Sequence, residues 1–157
     1  IYTLHKHQLL KHGIDWHNEV DPSTILYTYP TLLSHVITNL VSNAIDACIS
    51  KIEALALETT AAKENSVRQV YTPRIHVSSY IAGQELCIQV KDNGIGIPAQ
   101  FADKVFQPFF STKNGKGCGY GLSVSKHIIE KYFEGNLIHT VQDNETVFTI
   151  TVPTIDI

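Results

Sequence analysis

The stretch Asp92–Leu122 reads DNGIGIPAQFADKVFQPFFSTKNGKGCGYGL. It opens with an acid and two glycines, Asp92, Gly94 and Gly96, and closes with glycine at every second position from Gly115 to Gly121. Glycines cluster in this way where the backbone must take φ > 0 or pass very close to a ligand. Between the two glycine runs lie Phe106, Phe109 and Phe110, followed by Ser111, Thr112 and Lys113. From Leu122 to Phe133 apolar residues then recur at helical spacing. A glycine loop feeding a helix N-terminus offers unpaired N–H groups and the positive end of the helix dipole to an anion. The stretch is therefore expected to close over a nucleotide, with a mobile lid at about residues 105–118 held by the three phenylalanines as anchors.

The rest of the chain reads as the frame for that stretch. Immediately upstream, Arg74–Ile81 and Glu85–Lys91 alternate as strands around Gly83, and the second delivers Asp92 at its end. Further upstream, Pro30 suits a first helical turn. From Thr31 to about Leu57 the residues Leu33, Val36, Ile37, Leu40, Val41, Ala44, Ile45 and Cys48 form a broad apolar helical face. At 100° per residue, His35, Asn39, Ser42, Asn43, Asp46 and Ser50 gather on the opposite side. Solvated helix faces usually carry Lys, Glu, Gln and Arg, whereas Asn, Asp and Ser disfavour helix. This face is expected to meet something other than water.

The remaining elements follow more weakly. Ile1–Lys11 reads as the end of a helix broken by Gly13, and Asp15–Val20 with Thr24–Tyr29 as a strand pair about Asp21-Pro22. Glu58–Pro73 reads as a helix end and a loop, and Pro98–Val105 as a short helix. The helix Tyr120–Phe133 is expected to stop at a left-handed Gly135. Leu137–Val141 and Thr146–Val152 then form a hairpin around Asp143-Asn144. Interspersed hairpins and helices point to an α/β sandwich: a mixed, mainly antiparallel sheet backed by helices on one face.

Composition sets the outer limits. At 157 residues, 43% apolar and 17% charged, the chain suits one folded domain spanning 1–157. Its first dozen residues could belong to a preceding helix, and the missing initiator Met points to a piece of a longer chain. The net charge, 12 − 15 = −3, argues against a nucleic-acid partner. No uninterrupted apolar run approaches the ~18 residues of a membrane span. Three separated cysteines, 48, 87 and 118, suit free thiols in a reducing compartment, and the eight scattered histidines show no zinc spacing.

Each candidate residue has a plain reading beside the chemical one. Asn39 and Asn43, four apart, could be two surface amides; as hard neutral oxygen donors they suit Mg²⁺ when phosphates supply the charge. Asp92-Asn-Gly could be a simple turn. As a buried carboxylate, Asp92 would accept a hydrogen bond from an adenine 6-amino group and reject guanine, whose 6-oxo group is an acceptor. Gly94 and Gly96 would let the backbone lie flat beside the base. Thr146 could be an ordinary strand threonine or a water-bridged base contact. Lys113 and Lys116 could be surface lysines or could reach the terminal phosphate. The run Gly115–Gly121 matches neither GxxxxGK[ST] nor GxGxxG.

Taken in order, these elements resemble the ATP-binding catalytic domain of sensor histidine kinases, within the gyrase, chaperone, histidine kinase and mismatch-repair ATPase superfamily. Asn39-Leu-Val-Ser-Asn43-Ala-Ile-Asp-Ala looks like its N box and Asp92-Asn-Gly-Ile-Gly-Ile-Pro98 like its first glycine box. Phe106-Gln-Pro-Phe-Phe-Ser-Thr-Lys113 looks like its F box, and Gly117-Cys-Gly-Tyr-Gly-Leu122 like its second glycine box. The resemblance implies a Bergerat-type site for ATP and Mg²⁺, with Asn43 as metal ligand, Asn39 on the phosphate side and Asp92 selecting adenine. It extends the nucleotide contacts to Asp46, Gly94, Gly96, Ile97, Phe106, Lys113, Lys116, Gly117, Gly119, Tyr120, Gly121, Leu122 and Thr146. Asn39 and Lys113 would act on the transferred group. Asp46 stands where the family often has a base, which places more demand on Lys113 and Lys116. A hydrolytic relative needs a carboxylate to activate water where Asn39 stands, and an amide cannot take the proton.

Phosphoryl transfer to a histidine of a separate dimerisation domain, and on to a response regulator, is therefore expected. The domain itself is expected to be cytoplasmic and monomeric, without membrane contact. An anti-sigma-type serine kinase and a non-catalytic nucleotide-binding regulatory module are the alternatives.

Overall fold

A computed structural model describes residues 1–22, 28–61, 70–110 and 119–154. In chain order they form α1 (Tyr2–Lys11), β1 (Asp15–Glu19), α2 (Pro30–Ala61), β2 (Arg74–Ala82) and β3 (Glu85–Asp92). A 3₁₀ turn (Ala99–Lys104), α3 (Gly121–Phe133), β4 (Asn136–Gln142) and β5 (Glu145–Pro153) follow. The strands make one mixed open sheet in the order β1-β2-β3-β5-β4.

Two hairpins carry most of the pairing. Gly83 turns β2 into β3 with φ of 64°. Asp143 and Asn144, at φ of 52° and 63°, turn β4 into β5. Positive φ at both central residues is the tight hairpin geometry, and short polar side chains tolerate it best. β3 and β5 then join the hairpins antiparallel, with Asp92 opposite Thr146.

Among the described residues β1 has a partner that the local pattern does not point to. β1 runs parallel to β2, Asp15 opposite Arg74. Residues 23–27, most of the strand expected at 24–29, lie outside the described residues, and Thr28 and Tyr29 are not in a strand. A two-residue turn signal at Asp21-Pro22 is local and cannot report a partner some 60 residues away. One correction concerns the end of α3. The left-handed residue is Glu134, at φ of 52°, and the Gly135 N–H closes the helix on the Ile129 carbonyl at 3.1 Å. Gly135 is there for space: a Cβ would collide with the Thr151 carbonyl oxygen and lie 3.0 Å from Val152.

α2 and α3 cover one face of the sheet. Ile75, Val77, Leu86, Ile88, Val90, Leu137, Phe148, Ile150 and Val152 meet Val36, Leu40, Val41, Ala44, Ile45 and Cys48 of α2 and Ile128 and Ile129 of α3. By length and a mean hydropathy of 1.3, α2 passes for a membrane span. Its apolar stripe is instead packed on the sheet: Val36, Leu40, Val41 and Ile45 have no exposure. On the other face, the buried Glu145 carboxylate holds Arg74 at 2.7 Å and Lys91 at 2.6 Å, tying three neighbouring strands.

Candidate functional site

Alternation along β3 decides where Asp92 points. Leu86, Ile88 and Val90 face the helices, so Asp92 does too, and it is 3% exposed. One carboxylate oxygen accepts the Gly94 N–H at 2.9 Å. Thr146, buried directly across the ladder, shares its face, and such pairs stand about 5 Å apart at Cβ. Burial pushes the Asp92 carboxyl up to about 7, against the opposing pull of the Gly94 N–H; Glu145 adds to the rise and Lys51 offsets it. A carboxyl kept this dry, where a strand ends, is costly to the fold and characteristic of a site.

The loop after Asp92 is fastened to α2. A Cβ on Gly94 would fall 2.5 Å from the Ala47 carbonyl carbon, so only glycine fits. The Ile95 N–H donates to the Ala47 carbonyl at 3.0 Å, and Lys51 Nζ donates to the Asn93 carbonyl at 2.8 Å. Asn93 ties the loop to the start of β2. Its side chain accepts the Arg74 N–H and donates to the Thr72 carbonyl, both at 2.8 Å.

Asn39, Asn43 and Asp46 lie along one half-buried side of α2. Asn39 stands at the start of α3: its Nδ2 donates to Ser125 Oγ at 3.0 Å, and its carboxamide presses on Gly121. Ala47, eight residues on, touches the loop after Asp92. At 1.5 Å rise per residue these two contacts are about 12 Å apart. The polar side of α2 thus runs from the first turn of α3, met at Asn39, to the loop that follows Asp92, met at Ala47. A buried hydrogen-bonding acid stands near one end of this side and a helix N-terminus, where anions are favoured, at the other.

The aromatic segment divides. Phe106 packs edge-on to Phe148 with ring centres 6.2 Å apart, and Lys126 Nζ lies 5.0 Å from its ring. Phe110 meets Phe101 at 5.3 Å. Phe109, expected as a third anchor, is 73% exposed at φ of 66°, and its aromatic partner among the described residues is the Tyr120 ring, at 4.5 Å. Its left-handed backbone turns it out of the core. Gly119, at φ of 68°, lies with its Cα against the Phe109 backbone. The chain therefore returns beside the place from which it left.

The remaining expected residues are distributed as follows. Ile97, Phe106 and Leu122 are half-buried against the core, and Gly96 takes φ of 77° with open space around its Cα. Tyr120 is 42% exposed. Lys113, Lys116 and Gly117 lie outside the described residues. Two contributors were not read from sequence. Asn93 looked like a turn former, although Asn-Gly after a strand is also where a side chain can latch a neighbouring strand. Ser125 hid inside an apolar helical pattern; its signal was a hydroxyl on the buried side, one turn after Gly121.

Residues 28–156 match the family model of the histidine kinase-, DNA gyrase B-, and HSP90-like ATPases. The chain belongs to that family. Within it, the relatives are sensor kinases. The sensor protein CitS of Halalkalibacterium halodurans is 29% identical over 146 residues, covering 90% of this chain and 24% of CitS. The autoinducer 2 sensor kinase/phosphatase LuxQ of Vibrio harveyi is 31% identical, covering 88% of this chain and 15% of LuxQ. The chain thus spans a quarter or less of these curated relatives. The nucleotide-free catalytic domain of histidine kinase ThkA superposes with a TM-score of 0.76 at 26% identity, over 98% of this chain and 87% of that one. ThkA is also known in complex with the response regulator protein TrrA. This domain is therefore an ATP-binding catalytic domain of the sensor histidine kinase type. The ATPase family description fits the polar side of α2, which lies between the loop after Asp92 and the α3 N-terminus.

Proposed function

We propose that this domain binds ATP with magnesium along the polar side of α2 and transfers the γ-phosphoryl group to a histidine on a dimerisation domain. The observation that carries the reading is the pairing of buried Asp92 and Thr146, with the loop after Asp92 seated on Ala47 of α2 and Asn39, two turns earlier on the same helix, meeting the start of α3. Asp92 accepts the adenine amino group. Gly94 supports this by letting the loop settle on the α2 backbone, so the carboxylate is fixed before the base arrives. Asn43 supplies the neutral oxygen donor for magnesium, which screens the phosphate charge when bound. Asn39 holds the phosphate side beside the free N–H groups of α3. Lys113, with Lys116, reaches the terminal phosphate. Asn39 has no acid–base capacity, so water is not activated there and the acceptor must bring its own nucleophile.

The supporting relatives are sensor kinases, and one is known with its response regulator. The parent protein would accordingly pass the phosphoryl group to a response regulator, with this domain monomeric in the cytoplasm and in contact with neither membrane nor nucleic acid. The test is incubation of the domain with γ-labelled ATP and a supplied histidine-bearing dimerisation domain. Acid-labile label on the dimerisation domain, with none on this chain, is expected. Acid-stable label would indicate a serine kinase, and no transfer despite ATP binding a regulatory module.

A further inference from the structure

Ser125 is buried at 2% exposure in the second turn of α3. A buried helix serine ordinarily satisfies its hydroxyl on its own helix, at the carbonyl four residues back. Ser125 Oγ instead takes a hydrogen bond from another element, the Asn39 Nδ2 of α2, at 3.0 Å. One turn earlier on the same side of α3, Gly121 lies so close that a Cβ would overlap the Asn39 Oδ1 and sit 3.0 Å from its Cγ and Nδ2. The Asn39 carboxamide is therefore held at two points by one helix: a bare Cα against its oxygen side and a hydroxyl at its nitrogen.

We infer that Ser125 is a positioning residue, which fixes the Asn39 carboxamide against the start of α3 for recognition of the nucleotide's phosphates. The inference rests on the proposed nucleotide site and adds to it a residue that touches no ligand. An amide on two rotatable bonds must lose that freedom when it binds, and one already locked by a buried hydroxyl does so at lower cost. The lock also joins the helix that carries the amides to the helix whose N-terminus faces the phosphates, so both present their groups in one fixed relation.

The test is a double-mutant cycle on the domain, with Ser125→Ala, Asn39→Ala and the double variant, read by calorimetry with Mg·ATP and by NMR titration with adenosine. Ser125→Ala should weaken Mg·ATP by about 5- to 10-fold, the weight of one ordinary hydrogen bond, and leave adenosine within about twofold. In the Asn39→Ala background it should cost nothing further, because its only route of action is gone. Ser125→Cys, which keeps the volume but accepts hydrogen bonds poorly, should resemble Ser125→Ala. An unchanged Mg·ATP affinity in both variants, an equal loss for adenosine, or a loss that persists without Asn39 would each overturn the inference while leaving the nucleotide site standing. Failure of the unaltered domain to bind Mg·ATP would remove the site and the inference together.

Discussion

Replacing Asp92 by Asn should move stability and binding in opposite directions. The carboxyl is 3% exposed and rises from 3.8 to about 7. A raised value means that the stability tied to the protonated group is complete below about pH 4 and is lost as pH climbs through 7. The difference of roughly 3 units, at 1.36 kcal/mol each, corresponds to about 4 kcal/mol forgone above pH 8. Asn has no charge to bury, and its oxygen can still accept the Gly94 N–H. The unliganded variant should therefore melt higher than the unaltered domain at pH 8, by roughly 5–10 °C if half or more of that energy is recovered. The gap should close as pH is lowered from 8 to 5. Buried His5 and half-buried His139, both held below the usual histidine value by burial, are common to the two proteins and cancel in the comparison. Adenine nucleotide affinity should meanwhile fall about 10- to 100-fold, the weight of a charge-assisted hydrogen bond. Calorimetric melting across pH 5–8, with ATP titrations at pH 8, reads both effects. A variant that melts lower at pH 8, or a gap indifferent to pH, would show that Asp92 is an ordinary structural carboxylate and refute the reasoning.

Two substitutions separate packing from chemistry. Gly94→Ala forces a methyl into the Ala47 backbone, which has no flexible end to move aside. Chemical denaturation should show a loss of about 1–3 kcal/mol, with ATP binding reduced as the loop lifts off α2. Asn43→Ala should remove the dependence of ATP binding on magnesium. Titrations with and without EDTA would then coincide, and a retained magnesium response would assign the metal elsewhere.

The fold was legible wherever a local signal had a local cause. The apolar stripe of α2, the Gly83 hairpin and the Asp143-Asn144 hairpin each follow from neighbours in sequence, and each is where the residues placed it. The parallel seat of β1 was not, because pairing across some 60 residues leaves no mark on either strand alone. In the site, Asp92 and Thr146 could be suspected separately, but only the register puts them side by side. Ser125 and Asn93 escaped for the same reason: their role lies in what another element brings to them. The sequence expects the glycines at 94 and 121 where the backbone takes positive φ or lies close to a ligand. Neither takes positive φ; a Cβ would meet the α2 backbone at Gly94 and the Asn39 carboxamide at Gly121.

The most direct measurement is calorimetric titration of the domain with ATP and with GTP in the presence of magnesium. A carboxylate reading an amino group requires that ATP bind and GTP fail. Equal uptake of both, or uptake of neither, would contradict an adenine site built on Asp92 and the amide face of α2.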